Sequence, residues 1–311
     1  MILGCASIGG LYSPVDEDTV GEALAAAWDA GVRTFDTAPH YGVGLSEERL
    51  GAFLAGKERS EFVVSTKVGR LLVPTEDDVE GVEGFFGTPR RTRVRDYSRD
   101  GVRRSLEASC ERLGLDRVDI ALIHDPDDHW QAAVSEAYPA LDALRREGTV
   151  TAIGAGMNQS AMLERFVAET DIDCVLAAGC YSLVETSAAE RLFPACRDAG
   201  VAVLAAGVYE SGILANPRPG APYRYAAAAP DLVVRVQRIA AVCARYEVAL
   251  PTAALHYVLA HPDVTAVAIG ARSAENVRQN VAWLGDVVPQ ELFEELASEG
   301  LVAPLLGAAP S

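Results

Sequence analysis

Eight times between residues 2 and 284, a short apolar run is followed by a longer stretch whose apolar residues recur at three- and four-residue steps. The runs are ILGCASI (2–8), VRTFDTA (32–38), EFVVSTK (61–67), VDIALIH (118–124), VTAIGAG (150–156), DCVLAAG (173–179), VAVLAAG (201–207) and TAVAIGA (265–271). They are too short and too β-branched for helices and read as strands. The stretches between them, such as DEDTVGEALAAAWDAG (16–31), SEERLGAFLAG (46–56), RDGVRRSLEASCERLGL (99–115) and SAENVRQNVAWL (273–284), carry the helical period. Continuous apolar strands covered by helices form parallel sheets. Eight such units predict an α/β fold of the closed (β/α)8 TIM barrel type, spanning residues 1–311 as one domain. Length alone, at roughly 150 residues per domain, would suggest two domains, but barrels are the known exception. An open doubly wound sheet is the competing architecture. It wants G-x-G-x-x-G after the first strand, and Gly4, Gly9 and Gly10 do not fit that spacing.

Two connections are long, residues 69–98 after the third strand and 207–230 after the seventh. Both leave the C-terminal face, where barrel active sites sit, and connections of this length are commonly lids. The segment TPRRTRVRDYSR (88–99) at the end of the first puts Arg90, Arg91, Arg93, Arg95 and Arg99 just downstream of the acidic TEDDVEGVE (75–83). Those arginines either close on an anionic ligand or neutralise these carboxylates.

Composition removes several function classes. With 27 Lys+Arg against 44 Asp+Glu the formal charge is −17, which supplies no basic footprint for nucleic acid. No run approaches the ~18 apolar residues of a membrane span, and MILGCASIGG has no signal-peptide pattern, so a cytoplasmic location is expected. The six cysteines have no metal-type spacing, so no metal site is expected and most should be reduced core residues.

The chemistry concentrates at strand ends. Asp36 ends the second strand, Tyr41 follows in DTAPHYG, Lys67 ends the third and His124 the fourth. An ammonium beside a phenol lowers its pKa, so Lys67, held by Asp36, is expected to tune Tyr41 as a general acid/base for a carbonyl/alcohol couple. His124 would orient the substrate oxygen or share the proton. For any one of these residues, a buried ion pair, a satisfied core histidine or a packing tyrosine is the simpler explanation; four from neighbouring strands argue for a site.

FDTAPHYG, STKVG, RSLEASCERLGLDRVDIALIHDPD, GMNQS and IGARSAENVRQN together resemble the aldo-keto reductase superfamily over nearly the whole chain. GGLYSPV, DYSRDG, IHDPDDHW, MNQSAML and SGILA resemble its branch acting on aldoses, L-fucose and pyridoxal. The resemblance implies the catalytic tetrad Asp36, Tyr41, Lys67 and His124. It also implies an NAD or NADP cofactor across the barrel mouth and oxidation of a cyclic hemiacetal to a lactone. A reductase of aldehydes or ketones and a non-catalytic nucleotide-binding subunit are the alternatives. The implied partner is a small sugar or lactol, in a monomer or small homo-oligomer. Asn158 would bond the nicotinamide carboxamide, and Gly270, Ala271, Arg272 and Ser273 with Gln279 and Asn280 would cradle the adenosine end at a helix N-terminus.

The sequence departs from the family pattern in several places. Ala178 replaces a glutamine, and Ala206 replaces the aromatic that stacks on nicotinamide. Gly270 and Asn276 stand where NADP-preferring members carry Lys and Arg, which favours NAD, although Arg272 lies close enough to compensate. Family members usually carry a short N-terminal hairpin that plugs the barrel floor, whereas here the first strand is read almost from the first residue, so either the start is truncated or other groups close that end. His40, Asp125, His129 and Trp130 are expected to line a polyol pocket. Cys180 and Glu210, where the branch leads one to expect a bulkier basic residue and Asn, are expected to face that pocket and alter selectivity. Asp127 and Asp128 read as helix caps.

Overall fold

Each strand pairs in parallel with its neighbours in chain order and the last pairs with the first, closing an eight-stranded barrel. The computed structural model describes residues 1–224 and 226–305. The strands are β1 (Ile2–Gly4), β2 (Thr34–Asp36), β3 (Val63–Val68), β4 (Ile120–His124), β5 (Ala152–Met157), β6 (Cys174–Ala178), β7 (Ala202–Ala206) and β8 (Val264–Gly270). Seven match the apolar runs to within two residues at each end, while β1 stops at Gly4, four residues short of its run, and the chain goes on into a 3-10 turn at Ser7–Gly9. Closure is visible in the register: Gly4 of β1 lies opposite Asp36 of β2 on one side and Gly270 of β8 on the other. The barrel replaces the open-sheet alternative because none of its eight strands is left with a free edge.

Two apolar layers follow from strand alternation. Ile2, Leu122, Cys174, Leu176, Leu204 and Ala268 form a small inner cluster in the lumen. The much larger outer cluster joins the other strand faces to the helices. Five cysteines are buried, Cys110 is partly so, and all six are free thiols. Helix α1 (Glu17–Asp29) starts on Asp16, whose carboxylate accepts from Thr19 N, and Ser98 caps α2 (Arg99–Leu113) in the same way. Between them, helix Leu45–Leu54 packs on the C-terminal end of α2. Among the described residues no helix is long and apolar enough to cross a membrane.

The connection over 69–98 is not an irregular lid. Arg70–Pro74 and Arg91–Arg95 pair antiparallel from Arg70↔Arg95 to Pro74↔Arg91. Two of its arginines, Arg91 and Arg93, are engaged with carboxylates. Arg91 binds Glu48 and Val43 O, while Arg93 binds Glu83 and donates to His40 O. The ribbon is thereby fastened beside the mouth. The 207–230 connection contains a shorter ribbon, Pro222–Tyr223 against Ala226–Ala227.

Gly51 tests this packing. A Cβ there would sit 2.4 Å from Leu113 O. Alanine is worth up to about 1 kcal/mol over glycine in a free helix, but overpacking against backbone costs about 1–3 kcal/mol. Gly51→Ala is therefore expected to lower the urea midpoint at unchanged m-value; a raised midpoint would show that the two helices are not in close contact.

Candidate active site

The second strand ends on Asp36 and the third carries Lys67, and register places Asp36 opposite Ser65. Both side chains point inward at the mouth. Lys67 is 1% exposed, and its Nζ donates to Asp36 Oδ2 at 2.7 Å and to Thr37 O at 2.9 Å. Ser65 Oγ donates to the other Asp36 oxygen at 3.0 Å. Burial disfavours the ammonium, yet Asp36 and Tyr41 outweigh it and hold Lys67 protonated above its usual range.

Tyr41 is presented by a turn that only glycine permits. Gly42 has φ +62°, and a Cβ on it would lie 2.2 Å from Gly9 O; a Cβ on Gly9 would meet the Tyr41 carbonyl carbon at 2.9 Å. The two backbones therefore touch. Ser46 Oγ ties the turn down by donating to Cys5 O at 2.8 Å. The phenol ring is half-buried, with Lys67 Nζ 4.6 Å from its centroid. Burial pushes the Tyr41 pKa up to about 12, with Lys67 pulling against it. The sequence-based expectation of a lowered value is corrected here: the ammonium acts in the expected direction, but desolvation of the phenolate is larger.

His124 completes the group, its ring centroid 5.9 Å from that of Tyr41 at 89°. Burial, followed by Arg70 and Lys67, holds it neutral, well below the usual histidine range. His40 sits 5.5 Å from His124, and burial with Arg70 and Arg93 lowers its pKa to about 2. Asp36, His40, Tyr41, Lys67 and His124 all line one cavity of about 700 Å³ at the C-terminal mouth.

Other expected site residues divide. Asp125, Asn158, Glu210 and Gly270 line the same cavity, as do the substituted Ala178 and Ala206. Glu210 is buried at φ +47°, receives a hydrogen bond from Ser182 Oγ at 2.8 Å, and lies 3.9 Å from Arg224 Nε. Burial raises its pKa. Around Gly270, Ala271 is buried and Arg272 donates to Ser13 O and Pro14 O. Ser273 caps helix Ala274–Gly285, and Asn280 contacts Tyr209 OH and Gly270 O. Gln279 is exposed and donates to Glu275.

Three expected pocket residues lie elsewhere. Trp130 packs edge-on against Phe166 at 4.7 Å with the Arg165 guanidinium over its ring, and His129 lies against Tyr97. The chain turns at Asp125, which adopts φ +40°, and carries both residues away from the mouth. Cys180 is buried in the outer apolar cluster rather than facing the pocket. Asp127 does not cap a helix either; its carboxylate accepts from Gln159.

Sequence reading missed Phe85, Arg70 and Tyr209. Phe85 is 2% exposed, stacks with Tyr41 at 6.2 Å and 28°, and is tethered by a bridge to Leu11. Its only signal is an aromatic pair inside a glycine-rich lid, GVEGFFG. Tyr209 lines the cavity and touches Asn280.

Comparison with known proteins gives a consistent picture. The Aldo/keto reductase family model matches residues 1–298. D-threo-aldose 1-dehydrogenase from a Pseudomonas species is 42% identical over 306 residues, covering 96% of this chain and 93% of that one. Pyridoxal 4-dehydrogenase from Microbacterium luteolum is 37% identical over 324 residues, covering 97% and 94%. The holo form of a Bacillus halodurans aldo-keto reductase superposes with a TM-score of 0.75 at 24% identity, covering 99% and 94%, which supports the fold.

A buried ion pair that loses one member leaves the other charge uncompensated, at a cost of about 3–5 kcal/mol. Lys67→Met is expected to destabilise by that order in urea denaturation. Asp36→Leu combined with Lys67→Met is expected to recover part of the loss. A double variant no better than the sum of the single ones would contradict direct pairing.

Proposed function

Since the chain belongs to the aldo/keto reductase family and is an oxidoreductase of the NAD(P)(H) class, we propose that it oxidises an aldose or similar cyclic hemiacetal at C1 to the lactone. The observation that carries this reading is the convergence of Asp36, Tyr41, Lys67 and His124 on one cavity. The likeness to D-threo-aldose 1-dehydrogenase supports the sugar substrate.

The cavity suits a dinucleotide. Gly4, Ala206, Ala268 and Gly270 leave a wall without bulky side chains, and Asn158 brings its amide to the same space. Asn158 would hold the carboxamide. The turn from Gly270 to Ser273, with Asn280, would hold the adenosine end beside a helix N-terminus. When bound, the nicotinamide supplies the hydride acceptor. NAD is the favoured form because Gly270 and Asn276 offer no cation to a 2′-phosphate and Arg272 is engaged with backbone carbonyls.

The protein's own part is proton movement and orientation. Tyr41 takes the proton from the lactol hydroxyl, and Lys67 stabilises the phenolate while Asp36 fixes the ammonium in place. Neutral His124 orients the same oxygen, and Phe85 shields the reacting face from water. Lys67, Arg70, Arg93 and Arg224 each already have a carboxylate partner, which favours an uncharged polyol over a phosphorylated sugar. A second reading, reduction of aldehydes or ketones, is favoured by the same phenol. With its pKa near 12, Tyr41 is a proton donor at neutral pH. The barrel is proposed as one domain over residues 1–311, of which 225 and 306–311 lie outside the described residues.

The test is absorbance of reduced nicotinamide with NAD or NADP against L-fucose, D-arabinose, L-xylose, pyridoxal and simple aldehydes. Lactone-forming turnover with NAD is expected. Because oxidation needs the phenolate, kcat/KM should climb about tenfold per pH unit well below the Tyr41 pKa, while reduction should not. Tyr41→Phe should lose about 10²–10⁴-fold. Turnover only with simple aldehydes would overturn the aldose reading, and oxidation independent of pH from 7 to 10 would overturn Tyr41 as the base.

A further inference from the structure

With its carboxamide at Asn158, just past β5, and its adenosine end at Gly270–Ser273, just past β8, a bound dinucleotide lies across one side of the mouth. The barrel runs β5, β6, β7, β8 in order, so the diphosphate between those ends crosses the tips of β6 and β7. There Gly179 N donates to Ala206 O at 2.8 Å, and a Cβ on Gly207 would lie 2.9 Å from Gly179 N. The two segments meet backbone to backbone. Just beyond them, Glu210 and Ser211 are left-handed in succession, at φ +47° and +57°, a conformation that side-chain-bearing residues keep only where their surroundings impose it. Ser182 helps to do so: its Oγ accepts from Glu185 N and donates to Glu210 Oε1 at 2.8 Å.

The charges beside this stretch have the wrong sign for a diphosphate. Glu210 is 3% exposed, and its other oxygen, Oε2, accepts no hydrogen bond among the described residues; Arg224 Nε stands 3.9 Å from it. Arg224 commits its Nη2 hydrogens to Gly179 O and Glu185 Oε2, both at 2.8 Å. Gly179, Glu210 and Arg224 all line the cavity. Two carboxylates therefore share one guanidinium, and the patch is net negative where a dianionic group has to pass. An anion beside a buried carboxylate disfavours its ionised form. Burial already raises the Glu210 carboxyl above its usual range, with Ser182 and Arg224 opposing. The groups packed around it hold their charge near neutral pH. For Glu185, hydrogen bonds from Ser187 and the Arg224 cation outweigh burial and keep its carboxyl low. Burial pushes Cys180 up to about 12 and raises Tyr209 and Tyr223, while neighbouring acids outweigh burial at Arg224 and keep it charged.

We propose that Glu210 is a cofactor-facing carboxyl group that takes a proton from solvent when the dinucleotide binds, so that it meets the diphosphate as a neutral hydrogen-bond donor. This rests on the reading of the cavity as a nicotinamide dinucleotide site. Nucleotide affinity and oxidation then respond to pH in opposite senses: Tyr41 accepts a proton more readily as pH rises, while Glu210 loosens the cofactor. The expectation that Glu210 is a sugar contact makes a different forecast: a changed KM for the sugar with nucleotide binding untouched.

The experiment is titration calorimetry of the full-length protein with NAD, or with NADP if that is the form bound, in two buffers of different ionisation heat across about pH 6–8. The protonated form is the one that binds, so the wild type should take up a proton per nucleotide and its Kd should rise by up to about tenfold per pH unit. ADP-ribose, which carries the same diphosphate without nicotinamide, should show the same uptake. Glu210→Gln, neutral at every pH, should show no uptake, a flat profile and tighter binding than the wild type at the alkaline end. Should it fail to fold, Glu210→Asn replaces it with the same forecast. Wild-type binding without proton uptake overturns the proposal, and so does uptake that persists in the variant. A variant that changes only the KM for the sugar overturns it in favour of a sugar contact. Each of these leaves the cofactor reading standing, whereas failure of both nucleotides to bind removes that reading and the proposal with it.

Discussion

A lysine ammonium 1% exposed to solvent inside a barrel is the constraint from which the rest of the site follows. Burial of that charge is tolerable only if every hydrogen finds an acceptor and a negative charge lies beside it. Asp36 Oδ2 and Thr37 O accept two of its three hydrogens, Asp36 supplies the negative charge, and Ser65 steadies the carboxylate. The arrangement costs stability that an apolar pair would not. What it supplies is a fixed positive charge against the ring of Tyr41, whose own position depends on two glycine backbones in contact. Burial and the ammonium pull the phenol in opposite directions, and burial prevails.

Much of the fold was legible because it is local. Each apolar run with its following amphipathic stretch could be read without knowing any distant partner, and eight repeats leave little choice of architecture. The residues at strand ends were legible for the same reason: in a parallel barrel the last inward residue of a strand faces the mouth, so Asp36, Lys67 and His124 converge by register. Tyr41 needed only the short DTAPHYG turn. What resisted reading depends on pairings distant in sequence. Phe85 reaches Tyr41 because a ribbon folds the 69–98 connection beside the mouth, and Arg70 meets Asp125 across 55 positions. Trp130 shows the converse. Sequence proximity to His124 suggested a pocket wall, and one left-handed residue sends the chain outward. Cys180 likewise turned into the outer core.

The acidic surplus of the chain stops at the mouth. There four cations each have a carboxylate partner: Lys67 with Asp36, Arg70 with Asp125, Arg93 with Glu83 and Arg224 with Glu185. Such pairing fixes the side chains. His40 and His124 stay neutral because burial and the nearby guanidinium groups act together. The site therefore holds two neutral imidazoles, a phenol and a buried ammonium, a set able to orient an oxygen and exchange one proton with it.

The balance of burial against Lys67 sets the acidity of Tyr41. It is tested most directly by labelling tyrosine at Cζ with ¹³C and titrating the Tyr41 resonance in the wild type and in Lys67→Met. The expected wild-type curve stays in the phenol form through neutral pH and bends toward about 12, with the variant displaced further upward. A wild-type phenol ionising at or below its ordinary value of about 10, or one indifferent to the loss of Lys67, would contradict the account.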